Sequence, residues 1–160
     1  MKEAGKIGRT ASALTASHQI QYGVLPWRMM GGILQILLIT TRNTRRWIVP
    51  KGWPIDGKSP REAIAMEAME EAGVEGAVSP KPLGWFTYDK LRKSGELLPC
   101  RVQVFAMEVK RQHDDFPEKA LRSARRVTPG QALVHVGEPG LRQIITDFAH
   151  HAQARKRRAS

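Results

Sequence analysis

Residues 52–74 read GWPIDGKSPREAIAMEAMEEAGV, and the second half of this stretch sets three carboxylates, Glu67, Glu70 and Glu71, within five residues. On a helix of about 3.6 residues per turn, Glu71 lies about 40° round from Glu67 and Glu70 about 60° the other way, so all three reach one site. Ser59, Pro60 and Glu62 spell a capping box with proline at the first helical position, and Gly73 is a natural stop. The signals predict a helix over Pro60–Ala72. Ala63, Ile64, Met66, Ala68 and Met69 supply its packing surface and leave the acids to a cleft or to solvent. Like charges at these spacings oppose a helix by about 0.2–0.5 kcal/mol per pair, so the cluster is either a solvated outer face or the holder of a hard cation.

The flanks favour the cation. A strand over 47–49 enters a tight loop, Lys51-Gly52-Trp53-Pro54 through Gly57, and the loop opens into the acidic helix. The segment resembles the Nudix box, G-x5-E-x7-R-E-U-x-E-E-x-G-U, read here as Gly52, Lys58, Met66, Glu67, Ala68, Glu70, Glu71, Gly73 and Val74. Lys58 stands where that pattern has glutamate and Met66 where it has arginine. The phrases 23–26, 36–42, 46–52 and 101–109 extend the resemblance over about residues 18–150, and look like the branch that hydrolyses diphosphoinositol polyphosphates and diadenosine polyphosphates.

The resemblance implies an α/β fold, a Nudix-type α/β/α sandwich with a central mixed β-sheet. It also implies a Mg²⁺-dependent enzyme, with Mn²⁺ as the alternative metal, in which water attacks a phosphorus atom of a polyphosphate chain. Glu67, Glu70, Glu71 and the carbonyl of Gly52 take the place of the metal ligands. The general base comes from a box glutamate, Glu70 by default with Glu67 beside it, or from a separate loop, where Glu118 follows Asp114 and Asp115. In the family the missing arginine orients a neighbouring glutamate; Lys58 removes a carboxylate and adds a cation that either repels metal or holds a substrate phosphate.

A formal net charge of +11 and a pI near 10.4 point to anionic partners, either a small polyphosphate or RNA. Arg42, Arg46 and Lys51 cluster before the box, Lys58 lies within it, and Lys90, Arg92 and Lys93 follow on a later loop; arginine grips phosphate in bidentate fashion and lysine as a point charge. The lone Cys100 excludes an internal disulfide framework and reads as a buried residue in a reducing cytoplasm. The histidines show no metal spacing. The longest apolar run, Ile33 to Ile39, falls well short of the roughly 20 residues that cross a bilayer.

At 160 residues the chain suits one domain, read as a flexible basic arm over 1–17, the hydrolase domain over 18–152 and a basic tail over 153–160. Strands are predicted over 20–25, 33–40, 47–49, 83–88 and 101–109, a short helix from Thr128-Pro129, and a last helix from Glu138-Pro139 to about Ala152. Trp27 and Trp47 read as core, and Trp53 and Trp85 either border a cleft or, on the safer reading, belong to the core as well. A monomer and a homodimer are equally compatible with the sequence. Two other readings stand beside the enzyme: a catalytically weakened Nudix-like module that binds nucleotides or RNA, and a nucleic-acid-binding protein that uses Arg155 to Arg158, although no aromatic RNA-binding signature or zinc finger is present.

Overall fold

The computed structural model describes residues 18–159, so the expected arm over 1–17 lies outside the described residues. Eight strands form one sheet: β1 (Gln19–Met30), β2 (Ile33–Thr40), β3 (Trp47–Ile48), β4 (Lys51–Gly52), β5 (Val74–Val78), β6 (Gly84–Leu91), β7 (Leu97–Gln112) and β8 (Ala124–Val127). The helices are α1 (Pro60–Ala72), α2 (Pro129–His135) and α3 (Pro139–Ala159), with a 3₁₀ turn at Lys119–Leu121. The main path through the sheet runs β3-β2-β1-β7-β5; β4 pairs with β1, β6 with β7 and β8 with β2. The central pair β1 and β7 is parallel, while the other pairings are antiparallel, giving the expected mixed sheet.

Helices flank the sheet. α1 packs against β1, β4 and β5, whereas α2 and α3 pack on each other and against β2, β8 and β6. The four consecutive residues Val104, Phe105, Ala106 and Met107 are all buried, which requires cover on both faces of β7 because successive side chains point opposite ways. Cys100 is buried in the same strand.

Local signals placed α1 and β2 at their observed bounds. β1 continues past the expected 20–25 to a hairpin with β2 over Gly31 and Gly32, both at positive φ. β4, read as the start of the loop, and β5 and β8 were not anticipated; β8 is ARRV, without a strand-like apolar pattern, and exists through its register with β2, Ile36 opposite Val127 and Ile39 opposite Ala124. The last helix runs to Ala159 instead of ending near Ala152, so residues 153–159 of the expected tail are its continuation. Ala, Gln, Arg and Lys are good helix formers, and Lys156 donates to the carbonyl of Gly32 at the hairpin. Trp27 and Trp47 are half-buried rather than central: Trp27 meets Phe148 at 5.7 Å between ring centroids, and Trp47 meets His135. No helix of the described residues is long and apolar enough to cross a membrane.

Candidate active site

The cap determines how α1 enters the site. Ser59 accepts from the Glu62 amide, Glu62 accepts in return from the Ser59 amide, and Gly73 closes the helix in the left-handed region at φ 67°. A side chain at Gly73 would collide with the ring of Phe116, so glycine here also lets the acidic loop lie on the helix end. The His113 amide donates to Gly73 O at 2.8 Å and the Glu118 amide to Glu70 O at 2.9 Å. Glu118 is thereby brought to the box acids, while Asp114 and Asp115 stay exposed.

The buried face of α1 is Ala63, Ile64, Ala68, Glu71 and Ala72. Two expectations change. Met66, assigned to the packing surface, is 42% exposed, and Glu71, assigned to a cleft or solvent, is 5% exposed. Burial of Glu71 is made tolerable by specific donors: the Lys51 amide to Oε1 and Arg122 Nη2 to Oε2, each at 3.0 Å. Burial still pushes the Glu71 carboxyl above its usual range, against the pull of Arg122 and Lys51.

Arg122 is the functional residue that sequence reasoning missed. Its guanidinium spends all three nitrogens: Nη2 on Glu71, Nε on Glu118 Oε1 and Nη1 on the Thr40 carbonyl, each at 3.0 Å. With Met66 at the surface, Arg122 is the cation paired with both Glu71 and Glu118, and Lys51 adds its charge near Glu71. The spacing Glu118 to Arg122 is the only hint in the sequence, and it is masked by the basic residues around it.

Glu67 lies against the backbone of Gly52, where an added Cβ would overlap the carboxylate. Burial, then Glu71, Glu70 and Glu118, raise its pKa to about 7, with Arg122 opposing. Gly52→Ala is therefore expected to displace Glu67 and lower kcat by about 100-fold, the scale of a catalytic group misplaced by an ångström, with the sheet intact. Steady-state kinetics check this, and unchanged turnover would remove Glu67 from the site.

The same carboxyl sets a pH dependence. The folded protein holds its Glu67 proton up to about 7 whereas the unfolded chain loses it in the ordinary carboxylate range. The folded state thus binds more protons across that window, and its stability falls as pH rises through it. Glu67→Gln should raise the melting temperature of the metal-free protein at pH 8 and change it little at pH 5. An unchanged or lower value at pH 8 would contradict this account.

Beside the acids opens a cavity of about 760 Å³ whose lining includes Arg42, Arg46, Lys51, Lys90, Arg92, Lys93 and Arg122 against one acid, Glu96. The loop that presents Arg42 is tied by Thr41 N to Arg46 O at 2.8 Å and by Thr41 Oγ1 to the Arg46 amide at 2.9 Å; Arg45 takes φ 55°, an uncommon conformation for a non-glycine residue. Lys51 sits with its ammonium 4.7 Å from the Tyr88 ring centre, and burial lowers its pKa to about 8 despite Glu71. Of the expected phosphate contacts, Arg42 and Lys51 line the cavity. Arg46 also lines it but is paired with Glu138 at 3.1 Å. Lys58 is exposed, outside the cavity lining, and its charge acts on Glu62 of the cap. Trp53 and Trp85 are more than a third exposed and stack under Lys90 and Arg101.

The donors are carboxylates and a backbone carbonyl, hard oxygen ligands of the kind Mg²⁺ and Mn²⁺ take. Burial first, and then the charges of Glu71, Glu70 and Glu118, push the Glu67 carboxyl up, and this oxygen-rich donor set suits a divalent cation. Among the described residues no three His, Cys, Asp or Glu side chains already converge as a metal site; Arg122 stands between Glu71 and Glu118.

The NUDIX domain family matches residues 17–148. The chain belongs to the Nudix family. Among similar proteins, Nudix hydrolase 12, mitochondrial, of Arabidopsis thaliana is 26% identical over 159 residues, covering 89% of this chain and 78% of the relative. Nudix hydrolase 13, mitochondrial, of the same plant is 35% identical over 105 residues, covering 62% and 52%. The fold is shared with the Ap4A hydrolase of C. elegans in a binary complex, at 15% identity and TM-score 0.64 over 85% of this chain and 98% of that one. It is shared also with the NUDIX domain of Shewanella oneidensis NrtR complexed with ADP ribose, at 14% identity and TM-score 0.60 over 92% and 97%. This Nudix protein is a pyrophosphohydrolase by class, and Nudix hydrolases generally use divalent metal ions.

Proposed function

We propose that the protein is a cytoplasmic Mg²⁺-dependent hydrolase of a phosphoanhydride bond in a polyphosphate substrate, a diadenosine polyphosphate or a diphosphoinositol polyphosphate. The observation that carries this reading is the contact of opposites at one place: two residues that line a cavity dominated by cations, Lys51 through its amide and Arg122 through its guanidinium, bond to the Glu71 carboxylate of α1. Arg42, Lys90 and Arg92 hold the phosphates, with Arg42 offering bidentate geometry. Glu67, Glu70, Glu71 and the Gly52 carbonyl would hold the metal, which when bound acidifies water and neutralises charge on the phosphates.

The oxygen of the attacking water bonds to phosphorus as the bridging P–O bond breaks, and the proton goes to Glu70 or to Glu118. Arg122 keeps Glu118 and Glu71 in register with each other. Phosphate release from diadenosine polyphosphates, diphosphoinositol polyphosphates, nucleoside triphosphates and 5′-triphosphorylated RNA, with Mg²⁺ and with chelator, tests the reading. Turnover that needs Mg²⁺ and disappears in Glu71→Gln is the expected result. Tight binding of these anions without turnover would overturn it.

A further inference from the structure

The β1–β2 hairpin turns on two glycines, and the side chains around the turn are apolar and uncovered: Met29 is 43% exposed, Met30 47% and Ile33 57%. A Cβ added at Gly31 would meet nothing within 4 Å among the described residues, so the turn projects. Cations surround it. In the hairpin register Met30 faces Ile33 and Arg28 faces Gln35, and Arg126 of β8 lies opposite Leu37, so Arg28 and Arg126 share the sheet face of Met30 and Ile33. Met29 is on the other face, that of Trp27, which meets Phe148 of α3. Two turns farther along α3, Lys156 donates to the Gly32 carbonyl and so sets the run Arg155-Lys156-Arg157-Arg158 beside the turn. Residues 19–40, 122–130 and 148–158, which build this end of the molecule, contain no Asp or Glu. On the neighbouring strand Glu108, opposite Trp27, is paired with Lys110.

We propose that this end of the molecule docks on an anionic lipid bilayer, the hairpin tip entering the headgroup region while the surrounding arginines and lysines lie on lipid phosphates. Neither signal holds a protein at a membrane alone: three aliphatic side chains insert weakly, and a basic patch is screened within about 8 Å at physiological salt. Side by side they reinforce each other, because the cations bring the tip to the interface and the tip keeps them there. RNA would satisfy the cations, but unpaired bases stack on aromatic rings, and this tip offers aliphatic side chains instead. The candidate active site lies toward the other end of β1, where Tyr22 pairs with Gly52. Eight residues of strand, about 26 Å, separate that pair from Met30. Docking by the tip thus leaves the site clear of the bilayer, and the inference stands independently of what the basic cavity binds.

Flotation of the full chain with vesicles of phosphatidylcholine alone, and with about one-third phosphatidylglycerol added, tests it. The variants are Met30→Ser with Ile33→Ser and Arg155→Glu with Arg158→Glu, each checked by a thermal melt. The parent should partition onto the anionic vesicles at least about 10-fold more strongly than onto the neutral ones. Each double variant should lose about 10-fold or more of that binding while melting with the parent. An environment-sensitive dye on Ile33→Cys, which labels selectively because Cys100 is buried, should shift its emission to shorter wavelength on the anionic vesicles. A parent that stays off the anionic vesicles would overturn the proposal, as would a dye that reports water throughout. Binding that both double variants retain would place the lipid on another basic surface. Tip-dependent binding of RNA or of a second copy of the chain, with no vesicle binding, would give the surface to that partner and end the lipid assignment.

Discussion

Glu70→Gln is expected to lower kcat by about 100-fold or more while leaving the fold intact, because under the proposed function it removes a carboxylate that would hold the metal or take the proton of the attacking water. The substitution is sterically conservative. Glu70 contributes its backbone carbonyl to the Glu118 amide, and that bond survives the change. Its charge is one of three that raise the Glu67 carboxyl, so removing it relieves repulsion and should not lower the melting temperature. Kinetics at saturating Mg²⁺ together with thermal melts separate the two effects. Turnover near that of the parent would take Glu70 out of the catalytic set, and a large drop in melting temperature would mean that its role is structural.

Arg122→Ala should be the most damaging single change to stability at this site. It leaves Glu71 buried with the Lys51 amide as its remaining hydrogen-bond donor, frees the Thr40 carbonyl and releases Glu118. Breaking a buried ion pair from one side costs about 3 kcal/mol or more, which for a chain of this size lowers the melting temperature by about 10 °C. The sign with pH follows from Glu71. Its carboxyl already lies above the usual range because of burial, and losing the guanidinium raises it further. Below that pKa Glu71 is neutral and needs no counter-charge; above it the carboxylate is ionised and unpaired. The loss should therefore be greatest at alkaline pH and shrink on acidification. The double variant Glu71→Gln with Arg122→Ala should lose much less than the sum of the single changes. Additive losses, or an Arg122→Ala protein that melts with the parent at pH 8, would contradict the ion pair as the organiser of this site.

What was legible in the chain was legible for local reasons. Ser59, Pro60, Glu62 and Gly73 settle both ends of α1 through bonds that span three or four residues, and the apolar run from Ile33 marks β2 without reference to anything distant. The positions of Glu67, Glu70 and Glu71 on one arc follow from the helical repeat alone. Glu118 was legible as a member of an acidic loop, but it is the packing of Phe116 on Gly73 and the bonds from the His113 and Glu118 amides to Gly73 and Glu70 that bring that loop to the helix.

The sequence by itself determined the α/β class, the acidic helix with its caps, the family and an excess of positive charge that calls for an anionic ligand. Tertiary structure alone decided which charges meet. Burial of Glu71 but not Met66, the choice of Arg122 over its basic neighbours, the pairing of Arg46 with Glu138 and the exclusion of Lys58 from the cavity all depend on contacts between distant segments. Arg122 reaches Glu71 across 51 positions and Thr40 across 82. The physical reason is that caps and periodicity act through neighbours on one element, whereas a counter-charge is selected by the strand register, here β8 on β2, that carries one basic residue out of many to a buried carboxylate.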